Sequence, residues 1–299
     1  MRRLLALLVF TITLGITQGA NAGPHEDALA ALNRKDYATA LSLWKPLALQ
    51  GEARAQFGLG LMYRHGRGVP QDDKEAVRWY RLAAAQGNAD AQHNLGGMYD
   101  FGVGVPGDYK EAVRLYRLAA AQGNADAQNN LGFMYQLGKG VPQDDKEAVR
   151  LYGLAAAQGH TTAQYNLGFM YRGGQGVPQD FKEAARLYGL AAAQGHEWAQ
   201  KHLGDMYLYG LGVPRDYKEA VRLYRLAAAQ GDAIAQWRLG TMYEFGRGVP
   251  KDYVRAHMWF SFAPSSIKDL IATLLTPAQL EQAQEMARKC QASNFKNCD

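Results

Sequence analysis

A segment of the form Gly-x-Gly-Val-Pro occurs six times in this chain, and successive occurrences are 36 residues apart. A unit of this length cannot bury an apolar face by itself. Stacked copies can, and the first and last elements must differ because one side of each faces water. The six copies span residues 52–87, 88–123, 124–159, 160–195, 196–231 and 232–267.

The first half of each copy predicts a helix. In the copy 88–123, Ala91, Leu95 and Met98 follow the i, i+4, i+7 spacing of one apolar helix face. Gly102 follows, where a glycine in the left-handed conformation commonly ends a helix. The Gly-x-Gly-Val-Pro segment is therefore the turn after this helix.

The second half of the copy predicts another helix. Asp108 can accept a backbone N–H at its N-cap, and Glu111 three residues later predicts a capping box. The helix ends at Gly123. A phosphate-binding loop would need a strand before it and a free helix N-terminus, whereas here a helix precedes the loop and an aspartate occupies the cap. The capping aspartates are Asp72, Asp108, Asp144, Asp180, Asp216 and Asp252.

The first 22 residues have the pattern of a secretory signal peptide. Arg2 and Arg3 precede an apolar run, and Ala20-Asn21-Ala22 forms a small-residue cleavage site. The run is shorter than the roughly 20 residues of a membrane span. We expect a mature chain that begins at Gly23, has no integral membrane segment, and is periplasmic or secreted.

Atypical elements flank the repeats. Residues 23–51 predict an N-terminal capping helix pair, and residues 268–299 a C-terminal cap whose last helix starts at Thr276-Pro277. An oxidising compartment and short spacing favour a disulfide between Cys290 and Cys298. A metal pair or redox dithiol lacks support, because there is no C-x-x-C motif or nearby histidine.

Charge narrows the range of partners. The net charge of +5 falls to +3 without Arg2 and Arg3, which is weak for a chain of 299 residues and argues against nucleic acid. We expect a monomer without cofactor or metal. His196 and His202 are six residues apart, so they do not share the helical face that a zinc motif requires.

The repeated pattern A-x-x-x-L-G-x-M-Y-x-x-G-x-G-V-P-x-D-x-x-x-A-x-x-x-Y-x-x-A-A-x-x-G resembles the Sel-one-like repeat, a relative of the tetratricopeptide repeat. The resemblance covers about residues 27–290. It implies an all-α fold, a right-handed α/α superhelical solenoid of stacked antiparallel helix pairs with a concave surface for protein or peptide ligands. One secreted branch linked to β-lactam hydrolysis has a cysteine pair in every repeat, and this chain has none there.

Three positions of the first helix vary between copies while the apolar frame stays constant, and we name each set after its member in the first copy. The Phe57 set, the Leu61 set and the Arg64 set follow i, i+4, i+7 spacing, so they share one stripe of the helix. Their members are Phe57, His93, Asn129, Tyr165, Lys201 and Trp237, then Leu61, Gly97, Phe133, Phe169, Asp205 and Thr241, then Arg64, Asp100, Gln136, Arg172, Leu208 and Glu244. The resemblance implies that this stripe lines the concave face. The predicted partner-binding residues are His93, Asn129, Phe133, Gln136, Tyr165, Phe169, Arg172 and Trp237.

Two interpretations of the aromatic rings stay open: they anchor a partner, or they pack between neighbouring first helices. The sequence favours a non-catalytic scaffold that binds a protein or peptide. A cell-wall or β-lactam hydrolase and a peptidoglycan- or glycan-binding module are the alternatives. The chain has no Gly-x-Ser-x-Gly motif, and the repeat array has no cysteine, so neither residue type indicates a catalytic nucleophile.

Overall fold

The structure is a computed structural model that describes residues 23–262, 267–296 and 298. The predicted signal peptide lies outside these residues. Within them, all regular secondary structure is helical. The helices are α1 Pro24–Asn33, α2 Tyr37–Leu49, α3 Ala53–His65, α4 Asp73–Ala85, α5 Ala89–Phe101, α6 Tyr109–Ala121, α7 Ala125–Leu137, α8 Asp145–Ala157, α9 Thr161–Gly173, α10 Phe181–Ala193, α11 Glu197–Tyr209, α12 Tyr217–Ala228, α13 Ala233–Phe245, α14 Tyr253–Phe260, α15 Ile267–Ala272 and α16 Pro277–Ala292.

Consecutive helices pack in pairs along the chain, which confirms the predicted all-α solenoid of antiparallel helix pairs. The chain forms two compact units, one ending at Gln86 and the other beginning at Gly87. The first unit contains α1 to α4 and packs its core around Trp44, Leu59 and Met62. The second contains α5 to α16 and the other five repeat copies.

The predicted glycine stop and aspartate cap of the second copy are confirmed. Gly102 adopts the left-handed conformation, with φ of 66°. Asp108 accepts backbone hydrogen bonds from Lys110 and Glu111 at the start of α6. The capping-box prediction for Glu111 is wrong, because both of its carboxylate oxygens bind the guanidinium of Arg114.

A buried aromatic ring on the second helix of each repeat copy fills the centre of its pair; it is a tyrosine in five copies and Phe260 in the sixth. Tyr224 is fully buried and lies against Gly204 of α11. A Cβ atom at Gly204 would stand only 2.7 Å from the Tyr224 ring. This close approach explains why the Leu-Gly pair is the same in every copy.

Buried glutamines join neighbouring copies. Gln128 of α7 donates a hydrogen bond to the carbonyl of Ala120 in α6, and it accepts one from Gln158 at the end of α8. The same amide–amide bond recurs at 2.7 to 2.9 Å in five places. Each bond satisfies a polar group that burial would otherwise leave unpaired.

The C-terminal cap combines α14 with two later helices. Thr276 and Gln279 form the predicted capping box at the start of α16. Cys290 and Cys298 form a disulfide, and Phe295 packs edge-on against Phe262 at 5.0 Å. The short α15 was not predicted from the sequence. No helix in the described part of the chain is both long and apolar enough to cross a membrane.

Candidate partner-binding face

The first helices of the second unit are α5, α7, α9, α11 and α13, and their side chains connect each one to the next. The amide of Asn130 in α7 lies 3.0 Å from Nε2 of His93 in α5. Asn166 of α9 donates a hydrogen bond to Asn129 of α7, also at 3.0 Å. These contacts place the variable positions of successive copies side by side.

An aromatic cluster occupies the junction of α9 and α11. The ring of Tyr165 stacks on His196 at a centroid distance of 4.6 Å and on His202 at 5.9 Å, and Trp198 lies against it at 5.9 Å. Burial raises the pKa of Tyr165 and lowers the pKa of His196. Tyr165 is thus largely packed between helices, as one of the two sequence interpretations expects.

Charged groups link α11 to α13. Asp205 accepts hydrogen bonds from Arg238 at 3.0 Å and from the hydroxyl of Tyr224 at 2.8 Å. Lys201 lies 3.4 Å from Asp232, which also caps α13. Both carboxylates therefore have cationic partners within the fold.

The eight predicted residues separate into three groups by exposure. Phe133 and Phe169 are exposed, at 45% and 38%. Asn129 is buried. The others are half-buried, and three of them have side-chain hydrogen bonds. Besides the His93 contact with Asn130, Gln136 accepts one from Tyr152 and Arg172 donates one to His202. The half-buried residues are His93, Gln136, Tyr165, Arg172 and Trp237.

Two further variable sets point outward and were missed. The Arg54 set, three residues before the Phe57 set, is exposed in all six copies, and so is the His65 set at the end of the helix. By contrast, no member of the Phe57 set or the Arg64 set is exposed. The members of the two outward sets are Arg54, Asp90, Asp126, Thr162, Trp198 and Ile234, then His65, Phe101, Leu137, Gly173, Tyr209 and Phe245.

Helix geometry explains this difference. At about 100° per residue, the Leu61 set and the His65 set lie within about 20° of the Arg54 set, at the centre of the outward face. The Phe57 set and the Arg64 set are rotated by about 60° to 80° to one side. In the second unit that side meets the neighbouring first helices, so its residues are covered.

The exposed apolar residues of the second unit concentrate at the centre of this face. Phe101 is 79% exposed, the highest value among the large apolar side chains of the described residues. We call the surface the first-helix face and define it by Phe101, Phe133, Leu137, Phe169, Trp198, Tyr209, Ile234 and Phe245. One sequence signal could have revealed this face. The last residue before the left-handed glycine differs from copy to copy.

The second helices present a different surface. Their arginines pair with the glutamate three residues earlier; Arg150 binds Glu147 at 2.7 Å. The same pairing occurs in four other copies. These pairs are exposed and on one helix, where such bridges contribute little stability.

Two histidines cap first helices. His160 accepts a backbone hydrogen bond through Nδ1 at the start of α9, and His196 does the same for α11. Nε2 of His160 lies 3.0 Å from Asp126. The residues that the structure describes contain no cluster of three or more potential metal ligands among histidine, cysteine, aspartate and glutamate.

Comparison with known proteins agrees with this architecture. The family model of the Sel1 repeat matches residues 53–88, 89–124, 125–160, 161–196, 199–232 and 233–263. The chain is similar to the crystal structure of a protective antigen present in uropathogenic Escherichia coli strains that displays an SLR fold. The two are 35% identical with a TM-score of 0.77; the match covers 92% of this chain and 62% of that one, so this chain spans less than two thirds of the antigen.

A second solved structure matches over nearly its whole length. It is a Sel1 repeat protein from Oxalobacter formigenes, with 32% identity and a TM-score of 0.73 over 82% of this chain and 98% of that chain. A search of curated proteins found no match. The chain therefore belongs to the Sel1 repeat family.

Proposed function

We propose that this protein is a non-catalytic scaffold that binds a protein or peptide partner on its first-helix face. Sel1 repeats often form scaffolds for protein interaction and are generally non-catalytic. The observation that carries the proposal is the concentration of exposed apolar side chains on one face of successive helices. Large aromatic anchors on a surface are typical of protein interfaces.

The second helices also expose apolar residues, but these residues do not differ from copy to copy. The same leucine recurs there in five copies, at Leu82, Leu118, Leu154, Leu190 and Leu226. On the first-helix face, by contrast, the residue changes from copy to copy within a constant frame. Recognition of one particular partner requires such differences between positions.

A pull-down with matched variants tests the proposal. The bait is residues 23–299, used with envelope and secreted extracts and with mass spectrometry as the readout. One variant carries Phe133→Asp and Phe169→Asp. The control carries Leu154→Asp and Leu190→Asp, which change second-helix leucines of similar exposure, at 44% and 42%. Circular dichroism checks that both variants keep their helices.

A protein captured by the wild type and by the leucine variant, but not by the phenylalanine variant, would support binding at the first-helix face. Equal capture by all three baits, or by none, would contradict it. We also propose an extracytoplasmic location, supported by the pattern of residues 1–22 and by the disulfide. N-terminal sequencing of the protein from a periplasmic fraction should begin at Gly23, and recovery of uncleaved chain in the cytoplasm would argue against export.

A further inference from the structure

Arg172 is a half-buried cation of α9, beside the first-helix face, that lacks a carboxylate partner. Nη1 donates a hydrogen bond to Nδ1 of His202 at 3.0 Å. Among the residues that the structure describes, no carboxylate forms an ion pair with Arg172. The hydroxyl of Tyr188 also lies within reach of this guanidinium. A guanidinium has five N–H donors in a fixed plane, so contacts with His202 and Tyr188 still leave donors available.

The first copy shows what a paired arginine at this position looks like. Arg64 occupies the equivalent position in α3, and it donates a hydrogen bond to Asp73 at 2.9 Å. Asp73 is the first residue of α4, and the equivalent first residue of α10 is Phe181. The carboxylate that would neutralise Arg172 is therefore absent because of one residue difference between copies.

The two carboxylates that act on the charge of His202 are paired with other cations. Asp205 is bound by Arg238, and Asp232 faces Lys201. His202 is held neutral, because burial, Lys201 and Arg172 lower its pKa to about 4. Arg172 thus keeps a full positive charge whose best remaining partner is an anion from outside the fold.

Exposed apolar side chains lie on α9 itself and on the first helices to either side of it. Phe169 precedes it by three residues on α9, which places the two on neighbouring positions of the helix surface. Phe133 occupies the equivalent position on α7, and Tyr209 is exposed on α11. A peptide that covers these groups must extend in both directions from the residue that contacts Arg172. That residue is therefore inside the peptide and not at its end.

We propose that this site binds a peptide segment in which a glutamate or aspartate side chain is flanked by apolar residues. The inference rests on the proposed function and names the chemistry of the partner. The carboxylate pairs with Arg172 through charge-assisted hydrogen bonds, and the apolar residues cover Phe133 and Phe169. Such bonds in a half-buried setting contribute about tenfold to a hundredfold in affinity.

A random peptide library selected on the immobilised protein, residues 23–299, supplies defined probes. Selected peptides are then synthesised and their affinities measured by fluorescence anisotropy. Arg172→Gln removes the charge, and Phe181→Asp installs the internal carboxylate that Arg64 already has. Arg150→Gln, on a second helix, is the control, and the Phe133→Asp, Phe169→Asp variant reports on the face as a whole.

The expected result is enrichment of acidic residues flanked by apolar ones, with affinity reduced about tenfold or more by Arg172→Gln and by Phe181→Asp. Arg150→Gln should leave the affinity unchanged. Amidation of the peptide's C-terminus should have no effect, whereas replacing the acidic side chain by its amide should reproduce the loss.

The two proposals fail in different ways. Peptides without acidic enrichment that still require Phe133 and Phe169 would overturn the carboxylate assignment and leave the scaffold proposal standing. Peptides indifferent to both variants would overturn both. A dimer that the Phe133→Asp, Phe169→Asp variant dissociates would show that a second copy covers the face, and this would also overturn the peptide assignment.

Discussion

Arg172 and His202 are joined by a hydrogen bond of 3.0 Å across the junction of the fourth and fifth repeat copies. Arginine can only donate, so Nδ1 of His202 must accept and the ring carries its proton on Nε2. Protonation of Nδ1 would turn this contact into a meeting of two donors and two positive charges. The bond therefore ties the packing of α9 against α11 to the neutral form of one histidine.

The free energy of unfolding should decrease in mildly acidic solution. The pKa of His202 is lowered from 6.5 to about 4, mainly by burial, with Lys201 and Arg172 adding to the effect. The unfolded chain therefore binds the proton more readily than the folded one. This contribution is fully present above about pH 6.5 and is lost as the pH falls toward 4, by about 2 to 3 kcal/mol in total.

Urea denaturation at about pH 7.5 and about pH 4.5 measures this loss. His202→Gln retains a side-chain oxygen that can accept from Arg172 but does not titrate, so the variant should show a smaller decrease than the wild type. Burial also lowers the pKa values of His93 and His196, so part of the pH dependence should survive. Identical curves for variant and wild type would show that His202 does not carry the effect.

Two glycines in neighbouring pairs should respond to alanine with opposite signs. Gly189 lies inside α10, and a Cβ atom there would meet nothing within 4 Å. Gly189→Ala should therefore stabilise the protein by about 1 kcal/mol, because alanine is the better helix former. A Cβ atom at Gly204 would lie only 2.7 Å from the buried ring of Tyr224, so Gly204→Ala should destabilise by about 1 to 3 kcal/mol through overpacking.

Thermal unfolding followed by circular dichroism separates the two glycine variants. The wild-type melting temperature should lie between those of the two variants. Gly153→Ala is the matched control for Gly189→Ala, since its Cβ atom would also meet open space in α8. Destabilisation by both of these helix-interior alanines would contradict the expectation.

The buried glutamines should contribute to the coupling between copies. Gln128→Met preserves most of the side-chain volume but leaves the Ala120 carbonyl without this donor and Gln158 without its acceptor. We expect a loss of about 1 to 2 kcal/mol, the usual cost of unpairing a buried polar group. Gln143→Met, at an exposed loop position, is the control and should be close to neutral. Equal effects of both substitutions on urea unfolding would mean that the buried hydrogen bonds are not responsible.

Much of the fold could be predicted because the signals that shape each copy are local. Asp108 caps a helix and Gly102 ends one within the same 36-residue unit, and each copy contacts mainly its neighbours. The prediction that Glu111 completes a capping box was wrong for an equally local reason. A capping box and an i, i+3 pair with Arg114 compete for the same carboxylate, and the arginine takes it.

The phase of the first-helix face could not be predicted in the same way. The Phe57 set varies between copies as freely as the His65 set, yet only the latter is exposed in every copy. Variation shows that a position is not part of the constant frame. How far each first helix is rotated toward the next depends on packing between copies, for example on Asn129 meeting Asn166.

The disulfide should stabilise the C-terminal cap and little else. Cys290 is buried among the residues that close the last pair, and Cys298 and Phe295 pack against the same cluster. Replacing both cysteines by alanine should cost about 2.5 kcal/mol according to the loop-closure model. Because stability in a repeat array is the sum of local terms, hydrogen exchange should accelerate in α14 and α16 and stay unchanged in α5 to α8. Faster exchange throughout the chain would mean that the cap controls the whole array, and unchanged exchange in α16 would mean that its packing is sufficient without the bond.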